Sequence, residues 1–167
     1  LADEVGLGKT IEAGLVWAEI DARVPTRRVL VLCPSGLQYK WQAEMDRRFD
    51  REMQIVNRRD FLKFVDRYSE RGDAARFTGI CSFGALRSDE VLAALSSNPP
   101  SFDLVIVDEA HAMRNPETKT HQLGELITDA ASAALLLSAT PVNLGSQDLF
   151  HLLKLLRPEE FVRPDLF

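Results

Sequence analysis

Five short runs rich in apolar or β-forming residues, separated by longer amphipathic stretches, set the main constraint on this chain. The runs are Val29–Cys33, Gln54–Val56, Thr78–Cys81, Leu104–Val107 and Ala134–Leu137. Around them, apolar residues recurring at helical spacing predict helices over Lys9–Ile20, Leu37–Phe49, Phe61–Glu70, Gly84–Leu95, Thr118–Asp129 and Ser146–Leu156. Strand, helix and strand in succession close as right-handed crossovers into a parallel sheet covered on both faces. Leu104-Val105-Ile106-Val107 contains no polar residue, as a strand buried on both faces requires. The expected fold is therefore an α/β three-layer sandwich with a mostly parallel central sheet flanked by helices. Asn98-Pro99-Pro100-Ser101 and Arg114-Asn115-Pro116 read as loops. Ligands of such sheets collect at the carboxyl ends of the strands.

Two motifs fall at that edge. The first is Asp3-Glu4-Val5-Gly6-Leu7-Gly8-Lys9-Thr10, a glycine-rich turn that runs into a helix. Gly6 and Gly8 let the backbone curl around phosphates, and a helix N-terminus favours an anion. Lys9 is placed to reach the β- and γ-phosphates of a nucleotide, and the Thr10 hydroxyl to hold Mg²⁺. Asp3 stands where the strict phosphate-loop pattern has glycine. The second motif is Asp108-Glu109-Ala110-His111 at the end of the Leu104–Val107 run. Carboxylates are costly beside a buried strand unless they serve a cation or a reaction. Beside a bound nucleotide, Asp108 would hold the Mg²⁺ shell and Glu109 would orient and deprotonate the attacking water. Alone, either motif has a plain alternative: another glycine turn, or a strand ending in two solvated acids. In this order each supports the other.

Length and composition narrow the classes. The chain has 167 residues, 46% hydrophobic and 27% charged, the profile of one globular domain. No apolar run approaches a membrane span, so no membrane partner is expected, and a cytoplasmic setting is. The two cysteines, Cys33 and Cys81, each end an apolar run and read as buried free thiols in a reducing compartment. A net charge of −5 argues against a uniformly basic nucleic-acid surface and leaves room for a local basic groove. Because only Leu1 and Ala2 precede the glycine turn, the chain is expected to be an excerpt cut inside its first strand.

Further stretches follow strands at the same edge. Pro34-Ser35-Gly36-Leu37-Gln38-Tyr39-Lys40-Trp41 follows Cys33, Ser82-Phe83-Gly84-Ala85-Leu86-Arg87 follows Cys81, and Ser138-Ala139-Thr140-Pro141 follows Leu137. Small hydroxyls and cations there suit contacts to a nucleic-acid backbone, with Ser35, Lys40, Ser82 and Arg87 as the candidates. Ordinary helix capping competes for Ser35 and Ser82. Leu37 and Trp41, four apart, read as core rather than base-stacking platforms. Arg47, Arg48, Arg51, Arg58, Arg59, Lys63 and Arg67 alternate with Glu44, Asp46, Asp50, Glu52, Asp60 and Asp66, which favours a mixed solvated face over a basic patch. Leu149, Leu152, Leu153 and Leu156 form a stripe expected to face the core.

Taken together, these residues resemble the first RecA-like lobe of a superfamily-two helicase, of the Swi/Snf-type DNA translocase branch. The likeness runs through Asp3 to Gly14, through Cys33-Pro34-Ser35 with Trp41 and Glu44, through Asp108 to His111 with Asn115-Pro116, and through Ser138 to Pro141. That branch tolerates Asp at position 3, and the run through Ala13-Gly14 is similar above all to bacterial members, among them an RNA-polymerase-associated recycling ATPase. The match spans Leu1 to about residue 158, nearly the whole chain.

The resemblance implies a P-loop NTPase that uses ATP and Mg²⁺, with Asp3 to Thr10 around the nucleotide, Thr10 and Asp108 at the metal, and Lys9, Asp108 and Glu109 in catalysis. It implies that His111 and Ser138-Ala139-Thr140 couple that site to nucleic acid, most of all duplex DNA, and points to a nucleoid-associated setting with RNA polymerase or another complex as partner. His121 and His151 receive no such role and read as structural. Arginines of a second RecA-like lobe would complete the reaction. Many eukaryotic relatives carry Thr-Gly-Thr where this chain has Ser138-Ala139-Thr140, and a second Asn where it has Leu144. A DEAH-type RNA helicase lobe and a non-hydrolysing nucleotide- or nucleic-acid-binding module are the alternatives.

Overall fold

A computed structural model describes residues 8–138, 146–157 and 159–161. Among the described residues five strands occur: β1 (Arg28–Cys33), β2 (Gln54–Ile55), β3 (Phe77–Ser82), β4 (Leu104–Val107) and β5 (Ala134–Leu136). They form one sheet in the order β2-β3-β1-β4-β5, and every pairing is parallel. Among the described residues the sheet is thus wholly parallel. All six residues of β1 and all four of β4 are buried, as their unbroken apolar sequences require.

Helices cover both faces: α1 (Lys9–Arg23), α2 (Gln38–Phe49), α3 (Arg58–Arg71), α4 (Phe83–Leu86), α5 (Asp89–Ser97), α6 (Lys119–Asp129) and α7 (Ser146–Leu156). Alternate residues of β1 serve the two layers. Val29, Val31 and Cys33 join Ala13, Trp17, Trp41 and Met45 of α1 and α2, whereas Leu30 and Leu32 join Phe61, Phe64, Leu95, Leu123 and Leu155 on the other face. Phe64 and Phe77 stack with ring centroids 4.3 Å apart at the centre of the second layer. In the first layer α1 and α2 approach closely at Gly14. A Cβ there would overlap the Phe49 ring, which would have to shift to make room.

Two expected elements differ in detail. The single helix expected over Gly84–Leu95 is two helices. Ser82 Oγ accepts from the Ala85 N–H at 3.2 Å to start α4, and Ser88 Oγ accepts from the Val91 N–H at 3.4 Å to start α5. Asp89 and Glu90 then occupy the first turn of α5, where the helix dipole favours acids. Helix α7 faces the core as expected, but through Leu152 and Leu155; Leu156 lies 38% exposed.

The amino end of the sheet is tied together by charge. Arg28 is 5% exposed. Its Nε donates to the Ser101 carbonyl at 2.5 Å, and its Nη2 lies 3.1 Å from Asp73 Oδ1 and 3.5 Å from Asp103 Oδ1. Asp103 Oδ2 in turn accepts the Arg27 and Arg28 backbone N–H groups at 2.7 and 2.8 Å. Nearby, Asp21 Oδ1 accepts from the hydroxyl and N–H of Thr26, and Oδ2 accepts from Arg51 at 2.7 Å. The Thr26 hydroxyl, then its N–H, with help from Arg51, holds the Asp21 carboxyl down at about 2.

Part of the charged middle is paired within itself, and Arg51 and Arg58 pair with Asp21 and Glu90 outside it. Glu44 takes Arg47 at 2.9 Å and Arg48 at 2.5 Å, and Lys63 reaches Asp60 at 2.9 Å. Cys33 and Cys81 are free and fully buried. Burial, with the Asp108 charge beside it, pushes the Cys33 thiol up to about 12, and burial pushes Cys81 up as well. Among the described residues, no helix is long and apolar enough to cross a membrane.

Candidate nucleotide site

Helix α1 begins at Gly8, whose φ of 95° lies in the left-handed region open to glycine. The Gly8 carbonyl accepts the Ile11 and Glu12 N–H groups at 2.7 and 3.0 Å, which turns the chain directly into the helix. The first N–H groups of a helix lack intrahelical acceptors, so Lys9 and Thr10 stand where an anion is favoured. Asp3 to Leu7 lie outside the described residues.

Strand β4 delivers the second half. The Asp108 N–H donates to the Leu32 carbonyl at 2.8 Å, continuing the ladder one residue past the strand. The chain then breaks away at Glu109, where φ is 54° and ψ 46°, a left-handed conformation that costs a non-glycine residue about 1–2 kcal/mol. That turn brings the Glu109 N–H onto Asp108 Oδ1 at 2.9 Å. Trp41 of α2 donates its indole N–H to Asp108 Oδ2 at 2.8 Å. Asp108 is 6% exposed, and these donors answer the cost of burying its charge.

The two halves meet. Gly8, Lys9, Thr10, Asp108 and Glu109 line one cleft of about 240 Å³, with Leu37, Lys40, Glu44 and Arg48 of the α2 side forming its other wall. A hydroxyl and a carboxylate are hard oxygen donors that fit Mg²⁺, which takes few protein ligands and completes its shell with water and phosphate. A larger cavity of about 950 Å³ lies at the β2 edge between Tyr39, Gln54 and Phe77, away from this chemistry.

Behind the cleft, the Ala110 N–H donates to the Leu137 carbonyl and the Leu137 N–H to the Val107 carbonyl, both at 2.8 Å. This seats Ser138 beside the turn that carries His111. His111 Nδ1 lies 3.1 Å from Glu109 Oε2 but out of line for a hydrogen bond. Neither that nitrogen nor Ser138 Oγ makes a hydrogen bond among the described residues, although both atoms are buried. Ala139 and Thr140 lie outside the described residues.

The nucleic-acid candidates separate. Ser35, in a short 3₁₀ turn after β1, is exposed. Ser82 caps α4, as ordinary helix chemistry had suggested, and Arg87 is exposed just beyond that helix. All three lie near the carboxyl ends of the paired strands β1 and β3, where Cys33 is opposite Ser82. Lys40 instead faces the cleft with Lys9. His121 is structural as expected, 4% exposed with Nδ1 2.6 Å from the Met113 carbonyl. What sequence reasoning missed is the partnership of Trp41 with Asp108. A core tryptophan must place its N–H somewhere, and a buried strand-end carboxylate must find donors; those two needs were the available signal.

A parallel sheet with a glycine-capped helix and an acidic strand end on one cleft defines a RecA-like nucleotide-binding lobe. The chain belongs to the SNF2-related domain family, whose model matches residues 1–167. It is 35% identical over 170 aligned positions to the RNA polymerase-associated protein RapA of Photobacterium profundum, covering 100% of this chain and 17% of that protein. Its fold is similar to the Sulfolobus solfataricus SWI2/SNF2 ATPase core in complex with dsDNA, with a TM-score of 0.75, 20% identity, and coverage of 98% of this chain and 32% of that one. This is the Swi/Snf-type first lobe that the motifs resembled.

Proposed function

We propose that this chain is the ATP-binding lobe of a DNA-dependent ATPase that couples hydrolysis to movement along duplex DNA. The observation that carries the reading is the cleft on which Lys9 and Thr10 of α1 meet Asp108 and Glu109 beyond β4. In it, Lys9 binds the β- and γ-phosphates and Glu109 orients a water in line with the γ-phosphorus and takes its proton. Thr10 and Asp108 would hold Mg²⁺, which would supply neutralisation of the phosphate charge. Phosphoryl transfer of this kind rests on positioning and electrostatics, which suits a site whose carboxylate is fixed by N–H donors.

The partners follow from the family. Duplex DNA is favoured because the structural neighbour is a SWI2/SNF2 ATPase core bound to dsDNA, and RNA polymerase because RapA is associated with it. His111 and Ser138, whose Nδ1 and Oγ atoms are buried and make no hydrogen bond among the described residues, are the residues this reading assigns to coupling. Arginines from a second lobe would complete the hydrolytic site, so these 167 residues should bind ATP far better than they hydrolyse it.

Titration of a fluorescent ATP analogue with and without Mg²⁺ tests the site. Saturable, Mg²⁺-strengthened binding that Lys9→Ala abolishes is the expected result; equal binding by Lys9→Ala would remove the reading. For a longer protein containing this chain, stimulation of ATPase activity by RNA but not by duplex DNA would instead favour the RNA-helicase alternative.

A further inference from the structure

We infer that Trp41 is a positioning residue for the metal-binding carboxylate: its indole N–H fixes Asp108 in the rotamer that serves bound Mg²⁺–nucleotide. The inference rests on the nucleotide-site reading above and adds to it a residue outside the cleft. Trp41 is 1% exposed and is not among the side chains lining the cleft, so it can influence a ligand only through what it holds: Asp108, or α2, whose Lys40, Glu44 and Arg48 line the cleft and whose packing Met45→Ala tests separately.

Asp108 is held from two directions by two separate elements. Oδ1 takes the N–H of Glu109, in its own turn, and Oδ2 takes Nε1 of Trp41, which stands on α2, 67 positions earlier in the chain. The first bond alone leaves the carboxylate free to swing about its Cα–Cβ bond with the turn as pivot. The second bond closes that freedom. Each carboxylate oxygen still keeps a lone pair for a metal-bound water.

The donor itself is rigidly mounted. Trp41 and Met45 pack α2 against the sheet face formed by Val31, Cys33 and Ile106. Gln38 Nε2 donates to the Ile80 carbonyl at 3.3 Å and Gln42 Nε2 to the Met53 carbonyl at 2.7 Å, tying the same helix to β3 and to the loop before β2. A donor on such a support orients its acceptor rather than following it. Hydrogen bonds of this kind behind a metal ligand affect metal affinity by about 10- to 100-fold when removed.

The test uses the 167-residue chain and the fluorescent ATP analogue. Trp41→Phe keeps an aromatic ring in the core and deletes the N–H. It should raise the Mg²⁺ concentration at half-saturation by about 10- to 100-fold while leaving Mg²⁺-free nucleotide affinity unchanged. Met45→Ala, which truncates another core residue of α2, should lower the unfolding midpoint and leave the Mg²⁺ requirement alone. An unchanged Mg²⁺ requirement in Trp41→Phe, or an equal rise in Met45→Ala, would make Trp41 a core residue only and overturn the inference. Should Trp41→Phe fail to fold, the unmutated chain still decides through NMR of its two indole N–H resonances, assigned with Trp17→Phe. The Trp41 resonance should move when Mg²⁺ is added to the nucleotide-bound chain; a resonance that stays still overturns the inference. Absence of nucleotide binding by the unmutated chain would be a different failure, removing the nucleotide reading and this inference with it.

Discussion

At the amino end of the sheet, Arg28 reaches Ser101, Asp73 and Asp103, and Asp21 is shared by Thr26 and Arg51. At the carboxyl end, Glu109 sits in a left-handed backbone, and His111 Nδ1 and Ser138 Oγ are buried without hydrogen bonds among the described residues. Both ends belong to one sheet and share one core. The first has spent its polar groups on each other, which stabilises the fold and leaves nothing for a ligand. The second holds strain and unmet hydrogen-bonding capacity, which destabilises the empty fold but can be answered when a ligand or a second surface arrives. Substitutions at the two ends should therefore separate stability from chemistry.

The largest expected effect is at the carboxyl end. In a longer protein with DNA-stimulated activity, Glu109→Gln should cut ATP turnover by about 100- to 1,000-fold or more while the chain still binds nucleotide. Steady-state ATPase assays paired with analogue titration would show it; undiminished turnover would break the comparison at once. At the amino end, Arg28→Ala should leave analogue binding unchanged and lower unfolding free energy in urea by about 2–3 kcal/mol. That lies below the range for fully buried pairs because Asp73 is 82% exposed.

Between the two ends, Gly14→Ala should cost about 1–2 kcal/mol. The gain in helix propensity offsets only part of the displacement of Phe49 by the new Cβ. A thermal melt beside the unmutated chain measures it, and a melt at or above the original midpoint would show that Phe49 yields freely. The smallest effect is the pH dependence of Asp21. Its carboxyl is held at about 2 against an ordinary value of 3.8, so its contribution is fully present above about pH 4 and fades as pH falls towards 2. Between those limits the unmutated chain should lose about 1–2 kcal/mol that Asp21→Asn does not lose, allowing for partial solvent screening. Parallel pH-dependent urea melts of the two proteins provide the check.

Much of this architecture was legible because its causes are local. The unbroken apolar run Leu104–Val107 read as a buried strand, and the glycine turn ending in Gly8-Lys9-Thr10 as the start of a helix that favours an anion, each reading supporting the other. The division of α4 from α5 was equally local, since Ser88-Asp89-Glu90 is a helix start, but the apolar periodicity across it hid the break. Contacts fixed by tertiary approach were not legible. Arg28 meets Asp103 75 positions away and Trp41 meets Asp108 67 positions away, and no spacing rule joins them. Lys40 illustrates the same limit: its place in the sequence suggested a nucleic-acid contact and did not show that α2 also brings it to the cleft.

The two buried thiols have a practical consequence. Reaction with maleimides or iodoacetamides needs an accessible thiolate, and burial denies both Cys33 and Cys81 that form at neutral pH. A new cysteine at Tyr39, which is 76% exposed next to the cleft-facing Lys40, would thus be the sole reactive thiol in the folded chain. Tyr39→Cys could carry a single dye without prior removal of the native cysteines, and quantitative labelling at more than one position would itself report unfolding.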